Sequence, residues 1–192
     1  MTTGITFQHD SLILDASCII SLYASGQMEN VLDTIPKTVT VATYVYKKEA
    51  LSIYTGPDQD VRQSKVAIDL QPFVNAGLLK IVDIASEAEI ELRVNLEAKL
   101  DPGEAISGAI AINRNWAIGV DEKKARNLLN REAAHIQQFY TLELVKHWVD
   151  TQKPSLETII KALKNIRYRA IYKPGSNHPL YKWWRRYLPE SE

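Results

Sequence analysis

The chain offers almost no sulfur chemistry: one cysteine, Cys18, and two methionines among 192 residues. A lone thiol closes no internal disulfide, and the apolar setting Cys18-Ile19-Ile20 assigns it to packing rather than to reactivity. Zinc chemistry lacks its ligands too. His9, His135, His147 and His178 are scattered, with no His/Cys pair at zinc spacing. No stretch approaches the roughly 20 apolar residues that span a bilayer, so no membrane association is expected. Residues 1–10 lack the basic-then-apolar pattern of a signal peptide, and the chain is expected to be cytoplasmic. A glycine-rich nucleotide loop is absent, since Asp101-Pro102-Gly103-Glu104 is not a P-loop.

Net charge is also missing, with 23 Lys and Arg against 23 Asp and Glu, but the balance is uneven along the chain. Residues 146–192 carry 10 basic and 4 acidic residues, a surplus of +6, so residues 1–145 carry 13 and 19, a deficit of −6. The pattern describes an acidic body and a basic C-terminal region. With 45% hydrophobic residues the chain can build a core. The expected organisation is one domain over residues 1–150, followed by a basic, helical to irregular extension over 151–192 that packs on it.

Short apolar runs alternate with longer helical patterns. Leu12-Ile13-Leu14 reads as a buried strand, followed by a helix to about Tyr23. Thr38 to Ala42 is extended, and Thr43 suits the N-cap of a helix to about Tyr54. Val61 to Asn75 reads as helical, Leu79 to Ile84 as a strand, and Ser86 as the cap of a helix to about Lys99. A compact helix runs from Glu104 to Asn113, a strand from Trp116 to Val120, and helices from Glu122 to Arg131 and from Leu142 to Asp150. Lys153-Pro154-Ser155 opens a further helix, and the tail from Lys173 reads as irregular. Ile90 and Val94, like Ile159, Ile160, Leu163 and Ile166, sit at helical spacing and are expected in the core. Alternating strands and helices imply a mostly parallel sheet covered on both faces. Ligands of such sheets gather beyond the carboxyl ends of the strands.

Four acids occupy telling positions by that rule. Asp15 and Asp121 each follow a strand and precede a helix, where Asp also serves as an N-cap. Glu104 stands three residues after Asp101 with Pro102 between them, the pattern of a capping box. It also opens a helix that is small and apolar on nearly every side, Ala105 to Ile112. Glu49, four residues after Val45 and four before Ile53, falls in an apolar stripe and needs a partner, either a cation of the protein or a metal. Carboxylates crowded together raise one another's pKa, and a divalent cation removes that penalty. Oxygen-only ligands suit Mg²⁺ or Mn²⁺.

In order along the chain, Leu12-Ile13-Leu14-Asp15-Ala16-Ser17, Val45 to Glu49, Leu100-Asp101-Pro102-Gly103-Glu104-Ala105 and Val120-Asp121-Glu122 with Ala125-Arg126 resemble the PIN-domain nuclease family. The resemblance spans roughly residues 10 to 150. It implies a three-layer α/β/α fold and a Mg²⁺- or Mn²⁺-dependent nuclease, most often acting on RNA. In many small members the nuclease is the toxin of a toxin–antitoxin pair, which would bring an antitoxin partner, and pairing into a homodimer is expected. Carried over residue by residue, it assigns metal binding to Asp15, Glu104 and Asp121, and metal or water positioning to Glu49. Ser17 would support Asp15, and Glu122 would be a further acid. Phe139-Tyr140-Thr141-Leu142-Glu143-Leu144 is similar to the family's late Gly-Thr-Leu region but lacks its glycines.

The basic extension mixes cations with rings at Lys182, Trp183, Trp184, Arg185 and Arg186, a combination suited to single-stranded nucleic acid, or to packing of the tail. Two other classes compete with hydrolysis. One is a PIN-like module that binds nucleic acid or protein without cutting. The other is phosphoryl transfer through Asp15, whose usual second Asp two residues on is here Ser17.

Overall fold

The computed structural model describes residues 5–56 and 64–189. Its centre is a five-stranded sheet in the order β5-β2-β1-β6-β7, formed by β1 (Ser11–Leu14), β2 (Thr38–Ala42), β5 (Lys80–Val82), β6 (Ala117–Gly119) and β7 (Gln138–Phe139). Every neighbouring pair is parallel. Parallel strands are covered on both faces, so they are apolar throughout rather than alternating. All four residues of β1 are buried. One covering layer contains α1 (Ala16–Ser25), α2 (Met28–Asp33), α7 (Thr141–Gln152) and α8 (Leu156–Arg169), which contact one another. The other contains α4 (Glu87–Glu97) and α5 (Pro102–Arg114), with α5 against β1, β2 and β6. This is the three-layer α/β/α arrangement.

The chain runs from β1 to β2 on one side, then reappears at β6 on the other. The strand order therefore reverses between β1 and β6, which is where a ligand crevice forms in such sheets. The helix α5 can lie close there because its side chains are small: Gly103 through Ala111 are all buried. Local signals set several boundaries. Ser86 Oγ accepts from the Glu89 N–H at 3.2 Å, and Ser155 Oγ accepts from the Thr158 N–H at 3.2 Å. At the end of α1, Gly26 takes φ 70°, a left-handed conformation that glycine adopts without strain.

Three expected elements differ. In place of a helix to Tyr54, the chain makes a single π-helical turn, Val45–Glu49, and then β3 (Ser52–Tyr54). Thr43 does not cap; its hydroxyl donates to Val82 O. Ile53 is buried in β3, which packs against α1 and α8, so tertiary burial outweighs the helical spacing. The helix expected over Val61 to Asn75 is replaced by β4 (Lys65–Ala67), antiparallel to β3, and the short α3 (Gln71–Asn75); residues 61–63 lie outside the described residues. The tail is not irregular throughout, since α9 (Tyr181–Tyr187) forms there. The expected core positions split. Ile159, Leu163 and Ile166 are buried, whereas Ile90 and Val94 of α4 are 50% and 58% exposed. Among the described residues, no helix is long and apolar enough to cross a membrane.

The tail also corrects one expected nucleic-acid contact. Trp184 is 1% exposed and meets Tyr172 edge-on, ring centroids 6.3 Å apart. A buried ring cannot stack on a base, so Trp184 serves packing. Lys182 and Arg186 remain exposed, Trp183 and Arg185 partly so. Trp184→Ala is expected to cost about 3–5 kcal/mol of stability, read as a shift of the urea midpoint. A loss below 1 kcal/mol would show that α9 does not belong to the cooperative core.

Candidate active site

Asp15, the residue after β1, occupies the N-cap position of α1 but makes no side-chain capping bond. Its backbone N–H donates to Gly119 O at 3.0 Å, which ties the carboxyl ends of β1 and β6 together. The carboxylate is 4% exposed. Oδ2 accepts from the Ser17 hydroxyl at 3.1 Å, while Oδ1 is buried without a hydrogen-bond partner. Burial raises the Asp15 pKa, against the lowering effect of Ser17 and the neighbouring backbone.

Asp121 follows β6 and is clamped by the start of α7. The Thr141 N–H donates to Oδ1 at 2.9 Å and the Thr141 hydroxyl to Oδ2 at 2.5 Å. Burial still pushes its pKa up to about 6, with Asp15 adding to the rise and Thr141 and Arg126 opposing it. Arg126 does not pair with it directly. The guanidinium donates to Val120 O at 2.9 Å and stacks 3.5 Å from the centroid of the Tyr140 ring.

Glu49 closes the π-helical turn, in which the Ala50 N–H donates to Val45 O five residues back. Such turns recur at functional sites because the extra residue re-aims the following side chains. Here the carboxylate is half-buried and accepts from the Gly103 N–H at 3.0 Å. Gly103 is required for this approach, because a Cβ there would collide with the Glu49 carboxylate. Its place beside Glu49, 54 residues earlier in the chain, was not legible in the sequence.

Glu104 forms the capping box its spacing predicts. Oε2 accepts from the Asp101 N–H at 3.2 Å in a capping box, and the carboxyl is 9% exposed inside the cleft. Burial, then the adjacent Glu122 carboxyl, then the charge of Asp15, push its pKa up to about 8. Glu122 itself is exposed at the N-cap of α6 (Lys123–Glu132). Cys18 is fully buried below, its thiol raised by burial and by the charges of Asp121 and Asp15, in keeping with a packing role.

Asp15 thus raises the pKa of Glu49, Glu104 and Asp121 alike. The four acids share one electrostatic neighbourhood at the β1/β6 crossover. Among the described residues, no Lys or Arg forms an ion pair with any of them. The family model for DUF3368, a PIN domain, matches residues 11–173. The chain belongs to the PIN-domain family. No curated protein matches it. The matched region extends beyond residue 150 and takes in all of α8.

PIN domains generally are metal-dependent nucleases. Among the described residues, no group of three or more His, Cys, Asp or Glu side chains stands close enough to enclose a metal ion unaided. The donors nevertheless suit a divalent metal ion. All are oxygens, one buried carboxylate oxygen of Asp15 is orphaned, and Mg²⁺ commonly takes only one or two direct carboxylates while keeping its waters.

Because Glu104 and Asp121 have folded-state pKa values above their ordinary 4.5 and 3.8, each withdraws stability as pH rises between its two values. His178, lowered by burial from 6.5 to about 4, opposes them below about 6.5, so the fall set by Glu104 stands alone from about 6.5 to about 8. In EDTA the thermal midpoint is expected to drop over that range, and Glu104→Gln to flatten the drop. A flat wild-type profile would refute the assignment. Gly103→Ala would favour an open helix by about 0.5–1 kcal/mol. Here it is expected to destabilise, as a lower urea midpoint.

Proposed function

We propose that this PIN domain is a divalent-metal-dependent endoribonuclease that hydrolyses phosphodiester bonds with Asp15, Glu49, Glu104 and Asp121. The observation that carries the reading is three carboxylates, Glu49, Glu104 and Asp121, each pushed up by the charge of the buried Asp15, with no cation of the protein paired to any of the four among the described residues. Such a cluster is held at a free-energy cost unless a ligand of opposite charge offsets it.

Asp15, Glu104 and Asp121 would hold Mg²⁺ or Mn²⁺, which when bound polarises a phosphate oxygen and makes a water more acidic. Asp15 contributes the unpartnered Oδ1, and Ser17 fixes its other oxygen. Thr141 holds Asp121 with two hydrogen bonds, so that carboxylate is oriented before substrate arrives. Glu49, steadied by the Gly103 N–H, orients the attacking water. That water adds to phosphorus as the bond to the leaving oxygen breaks, and no side-chain nucleophile is needed. Glu122 adjusts the proton held on Glu104.

In its narrower form the reading makes the protein the toxin of a toxin–antitoxin pair, restrained by an antitoxin peptide laid over the acids. Asp15→Asn keeps the volume and the Ser17 contact but removes the charge. It is expected to lower Mn²⁺-dependent cleavage of single-stranded RNA by more than about 100-fold, with an unchanged circular dichroism spectrum. Cleavage at the wild-type rate would remove Asp15 from the mechanism, and a wild-type chain that binds RNA without cutting it would leave a non-catalytic PIN-like module.

A further inference from the structure

The acids leave α6 unexplained. Its buried face is Ala125, Leu128 and Leu129, and its other face carries Lys123, Lys124, Asn127, Asn130 and Arg131 in solvent. A depression flanks it on either side. The first, of about 570 Å³, starts at Glu122 and is lined by Lys99, Lys123, Lys124 and Arg131. The second, a cleft of about 610 Å³, starts at Asp121 and runs between α6 and residues 175–178. Lys123 and Asn127 line both. Both depressions open on the acidic site, because Glu122 adjoins Glu104 and Asp121 belongs to the cluster.

The two linings differ in chemistry. Lys99, Lys123 and Lys124 are exposed, and among the described residues none forms an ion pair. The cleft shares Lys123 and adds amides and rings, including Asn130, Gln138 and Asn177. Its wall is Arg126 stacked on Tyr140, with the His178 ring tilted 58° against Tyr140, centroids 4.3 Å apart. His178 Nδ1 accepts from the Leu180 N–H, which leaves the proton on Nε2. Nε2 of His178 and Oε1 of Gln138 are a buried donor and a buried acceptor without a partner. These two atoms lie beneath the surface of the cleft, and the exposed amides of Asn127, Asn130 and Asn177 offer the hydrogen bonds that a base edge would take. Cations beside the acids on one flank and amides with a ring wall on the other match a polyanion whose charges alternate with flat, hydrogen-bonding rings.

We propose that a single nucleic-acid strand crosses the N-terminal half of α6, its phosphates on Lys99, Lys123 and Lys124 and one unstacked base in the cleft between α6 and residues 175–178. A paired base cannot leave its helix without unstacking, so the cleft selects single strands. This inference rests on the nuclease reading for the place of the scissile phosphate at the acids. It places the binding surface away from α9; nucleic-acid contact was one of the two roles the sequence had left open for that basic segment.

The test is fluorescence anisotropy of the full chain with labelled ten-nucleotide single-stranded RNAs, in EDTA and in Ca²⁺. Binding is thereby measured apart from cleavage. The double variant Lys99→Glu/Lys124→Glu is expected to weaken binding on the order of 10-fold or more. It should also flatten the log–log salt dependence by about 1.4, since each single-strand phosphate contact contributes about 0.7. Asn130→Leu is expected to change the ranking of the four homopolymers and leave the salt slope alone. Lys182→Glu/Arg186→Glu is expected to change neither. Loss of binding in the α9 variant instead, equal affinity for a duplex, or no binding by the wild-type chain overturns the inference. A chain that binds through Lys99 and Lys124 yet cuts nothing overturns the nuclease reading alone.

Discussion

Repulsion among carboxylates that the fold itself buries governs the rest of this structure. Asp15 raises the pKa of Glu49, Glu104 and Asp121, and among the described residues no Lys or Arg pairs with any of the four. A protein built only for stability would separate such groups or neutralise them. Here the sheet crossover brings the ends of β1 and β6 together, joined by the hydrogen bond from the Asp15 N–H to Gly119 O, and Asp15 and Asp121 follow from that junction.

The neighbouring groups hold the acids in place without cancelling their charge. Ser17 and Thr141 donate neutral hydrogen bonds, the Gly103 N–H steadies Glu49, and the Asp101 N–H steadies Glu104. Neutral donors orient a carboxylate and leave lone pairs for a ligand. Arg126 stands near Asp121 but spends its donor on Val120 O and its face on Tyr140. That guanidinium is thereby kept as a wall of the cleft beside Asp121.

Legibility followed the range of the interaction. The strands Leu12–Leu14 and Trp116–Val120, the caps at Ser86 and Ser155, and the deeply packed α5 all rest on neighbours within a few residues, and the structure has each of them. The helix expected through Tyr54 failed because Ile53 finds its burial in β3 against α1 and α8, an opportunity that no local window contains. Trp184 failed as a stacking residue for the same reason: a ring beside Arg185 and Arg186 reads as a base platform until Tyr172 covers it.

The amino-acid sequence by itself determined the alternation of strands and helices, the acids at strand ends, and the family, because hydrophobic period and residue type are local properties of the chain. Only the tertiary structure decided which groups serve those acids. Thr141 lies 20 residues from Asp121, and Gly103 lies 54 residues from Glu49. Lys99 reaches the α6 cations only across the packed ends of separate elements. The physical reason is that partners so far apart meet through the order of strands in a parallel sheet, and that order is set by burial over the whole chain.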